Sequence, residues 1–381
     1  MKNVIDNIKT SEILFGDKKQ KKAKIAINGF GRIGRAFFKK SLMVDGLEVV
    51  VVNDLGDIHN MAYLLKYDTV YKKSDFDVEI EEELDKDGKV LENGVKYLII
   101  KNLKGKKKDI KVRFVQQRDP SLLPWEDLKI DIVIESTGLF TAYDKAKVHL
   151  DAGSKHVIIS APAKDGDDKS ILGETVLMGI NEDKLSTCDI SSNASCTTNA
   201  SSPLIAILDE TIGIEKAMLN TVHAYTASQS IVDGPNKKDY REGRAAAQNI
   251  VPSSTGAAIA VTKAFTDLEN KFDGISMRVP VPAGSIVDIT FISKRNTNAK
   301  EVNEILTKAS QEKRWQDIFA VTNEELVSSD IQNSDYASIA DLKMTRVVDG
   351  NLVKVLGWYD NEMGYTKTLI MHAQRVASKL A

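Results

Sequence analysis

The sequence predicts an α/β protein: a doubly wound parallel sheet followed by an α+β unit built on a mostly antiparallel sheet. Two patterns and a length carry this. Up to about residue 160, short wholly apolar runs alternate with helical patterns, as when buried parallel strands are linked by crossover helices. From residue 216 the runs alternate apolar and polar positions instead, at 216–223, 276–280, 286–293 and 352–358, as half-buried antiparallel strands do. At 381 residues and 42% hydrophobic content, the chain is long enough for two cores.

Composition removes several classes. A net charge of −2 argues against general binding to nucleic acid or anionic membranes. Two cysteines cannot form a disulfide framework, no signal peptide is evident, and the longest apolar runs are only strand-length. The expectation is a soluble protein of a reducing compartment, the cytoplasm. Residues 1–22 read as a solvated tail: they carry Lys18, Lys19, Lys21 and Lys22, and Asp6, Glu12 and Asp17 argue against a transit peptide.

The first unit opens with a short strand, Ile25-Ala26-Ile27. Asn28-Gly29-Phe30-Gly31-Arg32-Ile33-Gly34-Arg35 follows, then a helical run through Phe37, Phe38 and Leu42 and a second strand over 47–52 that ends at Asp54. Strand, Gly-x-Gly-x-x-Gly, helix, strand and acid make the Rossmann-type fingerprint of a dinucleotide site. Gly29 and Gly31 make the turn and admit a pyrophosphate to the backbone, and Gly34 lets helix and strand pack closely. Asp54 would accept from the ribose hydroxyls and repel a 2′-phosphate, so the expected cofactor is NAD. Residues 76–115 read as antiparallel hairpins around Asp87-Gly88 and Asn93-Gly94, with a solvated tip at 104–108. A buried strand over 130–135 leads into Ser136-Thr137-Gly138 on the ligand side of the sheet. A helix over 142–152 and a strand ending at Ser160 continue the winding.

The chemistry centres on Ser191-Ser192-Asn193-Ala194-Ser195-Cys196-Thr197-Thr198-Asn199. The apolar run from Pro203 has helical spacing, and Ser195 can cap that helix by accepting from one of its first amides. A cysteine just inside a helix start feels the positive end of the macrodipole, so the expectation is a lowered pKa and a thiolate. A lone free cysteine is more often buried and inert. His223, at the end of a strand, supplies the missing base if the fold brings it to Cys196. A cysteine, a base and a nicotinamide together define the oxidation of an aldehyde through a thiohemiacetal and a thioester. Residues 224–250, poor in large apolar residues, read as a long functional loop. The stretch 365–380 reads as a helix packing back on the first unit. No metal-ligand spacing is present.

Four motifs resemble the phosphorylating glyceraldehyde-3-phosphate dehydrogenases (type I): Ala194-Ser195-Cys196-Thr197-Thr198-Asn199, the glycine motif at 28–35, Ser254-Thr255-Gly256-Ala257-Ala258, and Trp358-Tyr359-Asp360-Asn361-Glu362-Met363-Gly364-Tyr365. The similarity runs from about Lys24 to Lys379. It implies an NAD-binding domain over 23–194 and 361–381 and a catalytic domain over 195–360. Cys196 would be the nucleophile and His223 the base. Arg32, Ile33, Asp54, Arg118, Ser160 and Asn361 would surround NAD, with Asn361 holding the nicotinamide carboxamide. Ser195, Thr197, Thr226, Arg244, Thr255, Gly256 and Arg278 would bind the phosphates of glyceraldehyde 3-phosphate and inorganic phosphate, as hydroxyls and arginine forks suit. The resemblance further implies a homotetramer in which the 225–250 loop packs on a neighbouring subunit. Leu55 and Pro235 stand where family members that use NADP tend to carry hydroxyl residues.

The chain departs from the family pattern at Ala200, often a second cysteine, at Ile259, often a lysine, and at Val281-Pro282-Ala283-Gly284. The tail and the 81–111 region exceed the usual pattern. Two rival readings are erythrose-4-phosphate dehydrogenase, which hydrolyses its acyl-enzyme, and a binding protein of the same fold. Ser254-Thr255-Gly256 favours the phosphorylating enzyme, and an intact cysteine, histidine and phosphate set argues against a retired site.

Overall fold

The computed structural model describes residues 22–91, 94–106, 108–168, 170–237 and 239–381. Nearly all of the expected tail, together with Asn93 of one turn and Lys107 of the lysine loop, lies outside them. The first sheet has nine strands, in the order Glu174–Thr175, Ile190–Ser192, His156–Ile159, Ile132–Glu135, Ala23–Asn28, Leu47–Asn53, Ile110–Val115, Lys96–Lys101 and Asp77–Glu82. Its first seven strands run parallel, and the last two return antiparallel, which accounts for the alternating pattern of residues 76–115. The central strands are apolar on both sides because helices cover both faces. Ile25, Ile27, Val51, Val52, Ile132, Val133 and Ile134 are fully buried.

Helix Arg32–Ser41 leaves the first strand through the glycine turn, with Phe37 and Phe38 wholly enclosed. Burial of each such ring contributes about 2–3 kcal/mol. The turn depends on glycine at two points. Gly29 has φ +95°, and a Cβ there would lie 2.7 Å from the carbonyl carbon of Ser136; one on Gly34 would lie 2.1 Å from the Gly29 carbonyl oxygen. The helix expected over 142–152 is instead two single turns, Tyr143–Ala146 and Val148–Asp151, meeting at Lys147. Its apolar positions satisfy two short turns as well as one helix, so periodicity did not reveal the break.

The second sheet runs Val251–Ser254, Phe272–Val279, Ile214–Ala224, Ser285–Ser293, Leu352–Tyr359, Ser338–Asp341 and Phe319–Thr322, with Arg346–Val348 also pairing to Leu352–Tyr359. It is mostly antiparallel, with two parallel pairs, Ile214–Ala224 beside Phe272–Val279 and Phe319–Thr322 beside Ser338–Asp341. Helix Cys196–Thr211 packs across this sheet, buried along most of its length. Helix Met363–Leu380 returns to the first sheet and lies against helix Arg32–Ser41. The start of the cysteine helix therefore sits where the two sheets meet, at the ligand side of the parallel strands.

Candidate active site

Cys196 is the first residue of its helix, and Ser195 caps it, the hydroxyl oxygen accepting the Thr198 N–H at 3.0 Å. The chain enters this helix through Ala194, a non-glycine residue in the left-handed region at φ +55°. Such a conformation costs about 1–3 kcal/mol and persists only where the surroundings over-determine it. Here they do: Asn199 Nδ2 donates to the carbonyls of Asn193 (2.7 Å) and Ser195 (2.9 Å), and the Tyr365 hydroxyl donates to that of Ala194 (3.1 Å).

His223 reaches the same point from the end of strand Ile214–Ala224, placing Nε2 3.3 Å from Cys196 Sγ. The tertiary fold joins two residues that local spacing could not. Arg278 lies opposite His223 in the neighbouring parallel strand, and that register sets its Nη1 2.6 Å from His223 Nδ1. His223 Nδ1 is also 2.7 Å from the carbonyl of Ala224. Arg278 can only donate, so Nδ1 cannot both accept from Nη1 and donate to this carbonyl; the tautomer with Nδ1–H on the carbonyl is the one that presents an Nε2 lone pair to the thiol, as a base requires. Arg278 Nε is buried and has no hydrogen-bond partner among the described residues, so this guanidinium keeps a donor for an anion.

Tyr359 completes the frame. Its hydroxyl bridges Thr221 Oγ1 (2.8 Å) and Thr197 Oγ1 (3.0 Å), and its ring meets that of His223 edge-on, with centroids 5.9 Å apart. The motif quoted from the sequence contains Tyr359 but gives it no role; its place between strand Ile214–Ala224 and the start of the cysteine helix was the missing information.

The electrostatics correct one expectation. Burial pushes the Cys196 thiol up from its ordinary value, while Arg278 and donors from Thr197 pull it down; the sum is upward. The helix start therefore does not by itself yield a thiolate, because removing the sulfur from water outweighs it. His223 is pushed down to about 3, first by burial and then by Arg278. It is thus neutral at neutral pH, with Nε2 free to take a proton.

Beside this centre, the ends of the parallel strands enclose a cavity of about 290 Å³ lined by Asn28, Gly29, Gly31, Asp54, Leu55 and Arg118, among others. The Asp54 carboxylate is fixed there by the N–H groups of Phe30 (2.7 Å) and Gly56 (2.8 Å). Nothing would meet a Cβ on Gly31 within 4 Å, so this side of the turn is open to a bulky group. Arg32 turns its guanidinium to Asp68 and Glu362, leaving its backbone N–H and that of Ile33 as donors at the helix start. Asn361 Oδ1 accepts from the Gly284 N–H at 3.1 Å, which fixes its amide so that Nδ2 is the group left for a ligand carbonyl. Ser160 directly follows strand His156–Ile159 on the same side of the sheet. An opening at the glycine turn, a fixed carboxylate and an oriented amide are what a dinucleotide with a carboxamide requires.

The remaining expected phosphate ligands make local bonds. Thr226 Oγ1 meets Ser228 Oγ at 3.1 Å, the exposed Arg244 pairs with Asp233 at 2.9 Å, and Thr255 Oγ1 accepts the Ala257 N–H at 3.2 Å. Gly256 precedes the short helix Ala257–Thr262. Of all the expected phosphate ligands, Arg278 is the one that contacts the His223 imidazole, and Thr197 donates to the Cys196 thiol.

This geometry agrees with the comparisons to known proteins. Residues 23–143 match the NAD binding domain of glyceraldehyde 3-phosphate dehydrogenase, and residues 195–361 match its C-terminal domain. The chain belongs to the glyceraldehyde-3-phosphate dehydrogenase family. It is 43% identical to the glyceraldehyde-3-phosphate dehydrogenase of Geobacillus stearothermophilus over 358 residues, covering 93% of this chain and 98% of the relative. The Clostridium pasteurianum enzyme is 41% identical over 91% of this chain and 96% of its own length. Glyceraldehyde-3-phosphate dehydrogenase B of Aspergillus oryzae is 40% identical over 93% and 98%. As a member of this family the chain is an NAD-dependent oxidoreductase of glycolysis.

Proposed function

We propose that this chain oxidises and phosphorylates glyceraldehyde 3-phosphate with NAD, using Cys196 as nucleophile and His223 as base. The observation that carries the reading is the 3.3 Å approach of Cys196 Sγ to His223 Nε2 with Arg278 against the far side of the imidazole. Cys196 gives its proton to His223 and adds through sulfur to the aldehyde carbon, and His223 passes that proton to the carbonyl oxygen, forming a thiohemiacetal. His223 Nε2 takes the hydroxyl proton as the carbon–hydrogen bond breaks, and a thioester remains on sulfur. Bound NAD supplies the hydride acceptor and, in its oxidised form, a positive ring. Inorganic phosphate then attacks the thioester carbonyl, the carbon–sulfur bond breaks, and 1,3-bisphosphoglycerate leaves as the thiolate re-forms.

In this scheme Arg278 has a second effect. A phosphate group seated on it screens its charge from His223, which raises the basicity of Nε2 when substrate is present. Ser195, Thr197, Thr226, Arg244, Thr255 and Gly256 serve the substrate and inorganic phosphates. Gly29, Gly31, Arg32, Ile33, Gly34, Asp54, Arg118, Ser160 and Asn361 serve NAD. We assign residues 23–194 with 361–381 to the NAD-binding domain and 195–360 to the catalytic domain. The test is NADH absorbance with glyceraldehyde 3-phosphate, with and without inorganic phosphate. Sustained turnover that needs phosphate supports the reading; equal turnover without it points to hydrolysis of the acyl-enzyme instead.

The working form on this reading is a cytoplasmic homotetramer. No described helix is long and apolar enough to cross a membrane. Ile231, Val232, Tyr240 and Ile250 of the 225–250 loop are exposed in the single chain. A groove of about 860 Å³ opens beside strand Ile214–Ala224, with Met218, Ile259 and Leu352 exposed along it. Exposed apolar surfaces of this kind suit contact with a neighbouring subunit. Light scattering should give four chains per particle at micromolar concentration, and a monomer would contradict the assignment.

A further inference from the structure

Behind the nucleophile, a chain of hydrogen bonds crosses the interior from strand His156–Ile159 to helix Met363–Leu380. His156 Nε2 meets Ser191 Oγ at 2.8 Å, and Ser191 Oγ meets His372 Nε2 at 2.8 Å. His372 Nδ1 meets Asn193 Oδ1 at 3.2 Å, and Asn193 Nδ2 meets Thr368 Oγ1 at 3.1 Å. All five residues are buried. None of them belongs to the catalytic or cofactor machinery described above.

The proton positions follow from one end. The Thr368 hydroxyl donates to the carbonyl of Tyr365 at 2.8 Å, so its oxygen can only accept from Asn193 Nδ2. Asn193 Oδ1 then faces His372, and His372 Nδ1 must carry the proton it donates. A neutral His372 has no proton left on Nε2, which therefore accepts from Ser191, and Ser191 in turn accepts from His156 Nε2–H. His156 Nδ1, the starting end, has no partner among the described residues. The three bonds from His156 through Ser191 and His372 thus all point toward Asn193, the residue before the left-handed Ala194.

We propose that His372 is a positioning residue for the nucleophile: by donating to Asn193 it holds the left-handed turn at Ala194 from which Cys196 is aimed at His223. Asn193 is fixed at both ends of its amide, by His372 and Thr368, and its carbonyl is fixed by Asn199. Without the donor from His372, Asn193 Oδ1 is a buried acceptor with nothing to accept, and rotating that amide to find a partner pulls on the turn. The cysteine helix begins two residues beyond that turn. Sulfur displaced by a fraction of an ångström then loses its approach to His223 and Arg278. This inference rests on Cys196 being the nucleophile.

Two isosteric substitutions separate this role from simple core filling. In His372→Asn the side-chain amide nitrogen can stand near Nδ1 and still donate to Asn193; in His372→Gln the terminal amide reaches the Nε2 position and keeps only the link to Ser191. The assays on the full-length protein are kcat, KM for NAD, and the pH profile of Cys196 alkylation by iodoacetamide, read on the peptide that carries it. His372→Gln and His372→Leu should lower kcat about tenfold with KM for NAD unchanged, and should move the alkylation profile to higher pH. His372→Asn should restore both to within about twofold. Should His372→Leu fail to fold, the comparison of Asn with Gln still decides. Equal kcat in the Asn and Gln variants, or a better Gln variant, overturns the positioning role. An unmodified protein whose Cys196 never becomes acylated by substrate overturns the nucleophile assignment instead.

Discussion

Acidification should unfold this protein through two buried histidines, His156 and His372, that touch neither substrate nor cofactor. Burial pushes both His156 and His372 down to about 3 from an ordinary value of 6.5, with further small contributions to His156 from His372 and Lys379. The unfolded chain binds a proton at each site below about pH 6.5, whereas the folded chain refuses both until about pH 3. Stability is therefore full above pH 6.5 and is lost as pH falls through the window from 6.5 to 3. At pH 4.5, two units below the unfolded value, each site costs on the order of 2–3 kcal/mol, and the pair about 5 kcal/mol. A domain's whole stability is about 5–15 kcal/mol, so an acid transition near pH 4–5 is expected. Far-UV circular dichroism across a pH series, with and without moderate urea, measures it. His156→Leu should move the midpoint to lower pH. A midpoint unaffected by that change, or urea resistance constant from pH 7 to 4.5, would show that these sites do not govern acid stability.

Two further outcomes concern catalysis and cofactor choice. His223→Asn should retain slow turnover, about 10²–10⁴-fold below the parent, since the thiol remains while its base is lost; an unchanged kcat removes His223 from its role. The chain should prefer NAD to NADP by about 30- to 150-fold in kcat/KM, because the 2′-phosphate would approach the fixed Asp54 carboxylate and find no donor in Leu55. Leu55→Thr with Pro235→Ser should narrow that gap without closing it. Equal efficiency with the two cofactors in the unmodified protein would show that Asp54 does not face the ribose.

Much of this arrangement is legible in the sequence because its signals are local. The glycine turn with Asp54 beyond it, the cap at Ser195 and the alternating strands after residue 216 each follow from spacing within a few residues. What the sequence hid is non-local. Pairing of His223 with Cys196 rests on the end of one strand meeting the start of a helix, and Arg278 joins them only through the register of a parallel pair. Tyr359 and the chain from His156 to Asn193 bring together residues far apart in sequence, and each looks unremarked in isolation. The expected thiolate failed for a related reason. A helix start is visible in sequence, but the depth at which the fold buries the sulfur is not, and burial was the larger effect.

This mechanism requires Cys196 to carry the substrate as a thioester. Its most direct test mixes the protein with NAD and glyceraldehyde 3-phosphate in the absence of inorganic phosphate, follows NADH in a stopped flow, and quenches for peptide mass spectrometry. The mechanism predicts a burst of one NADH per competent site, an acyl group on the peptide that contains Cys196, and release of that group when phosphate is added. It predicts neither burst nor acyl group in Cys196→Ser, although that variant still binds NAD. A burst that survives the substitution, or an acyl group found on any other residue, would contradict it.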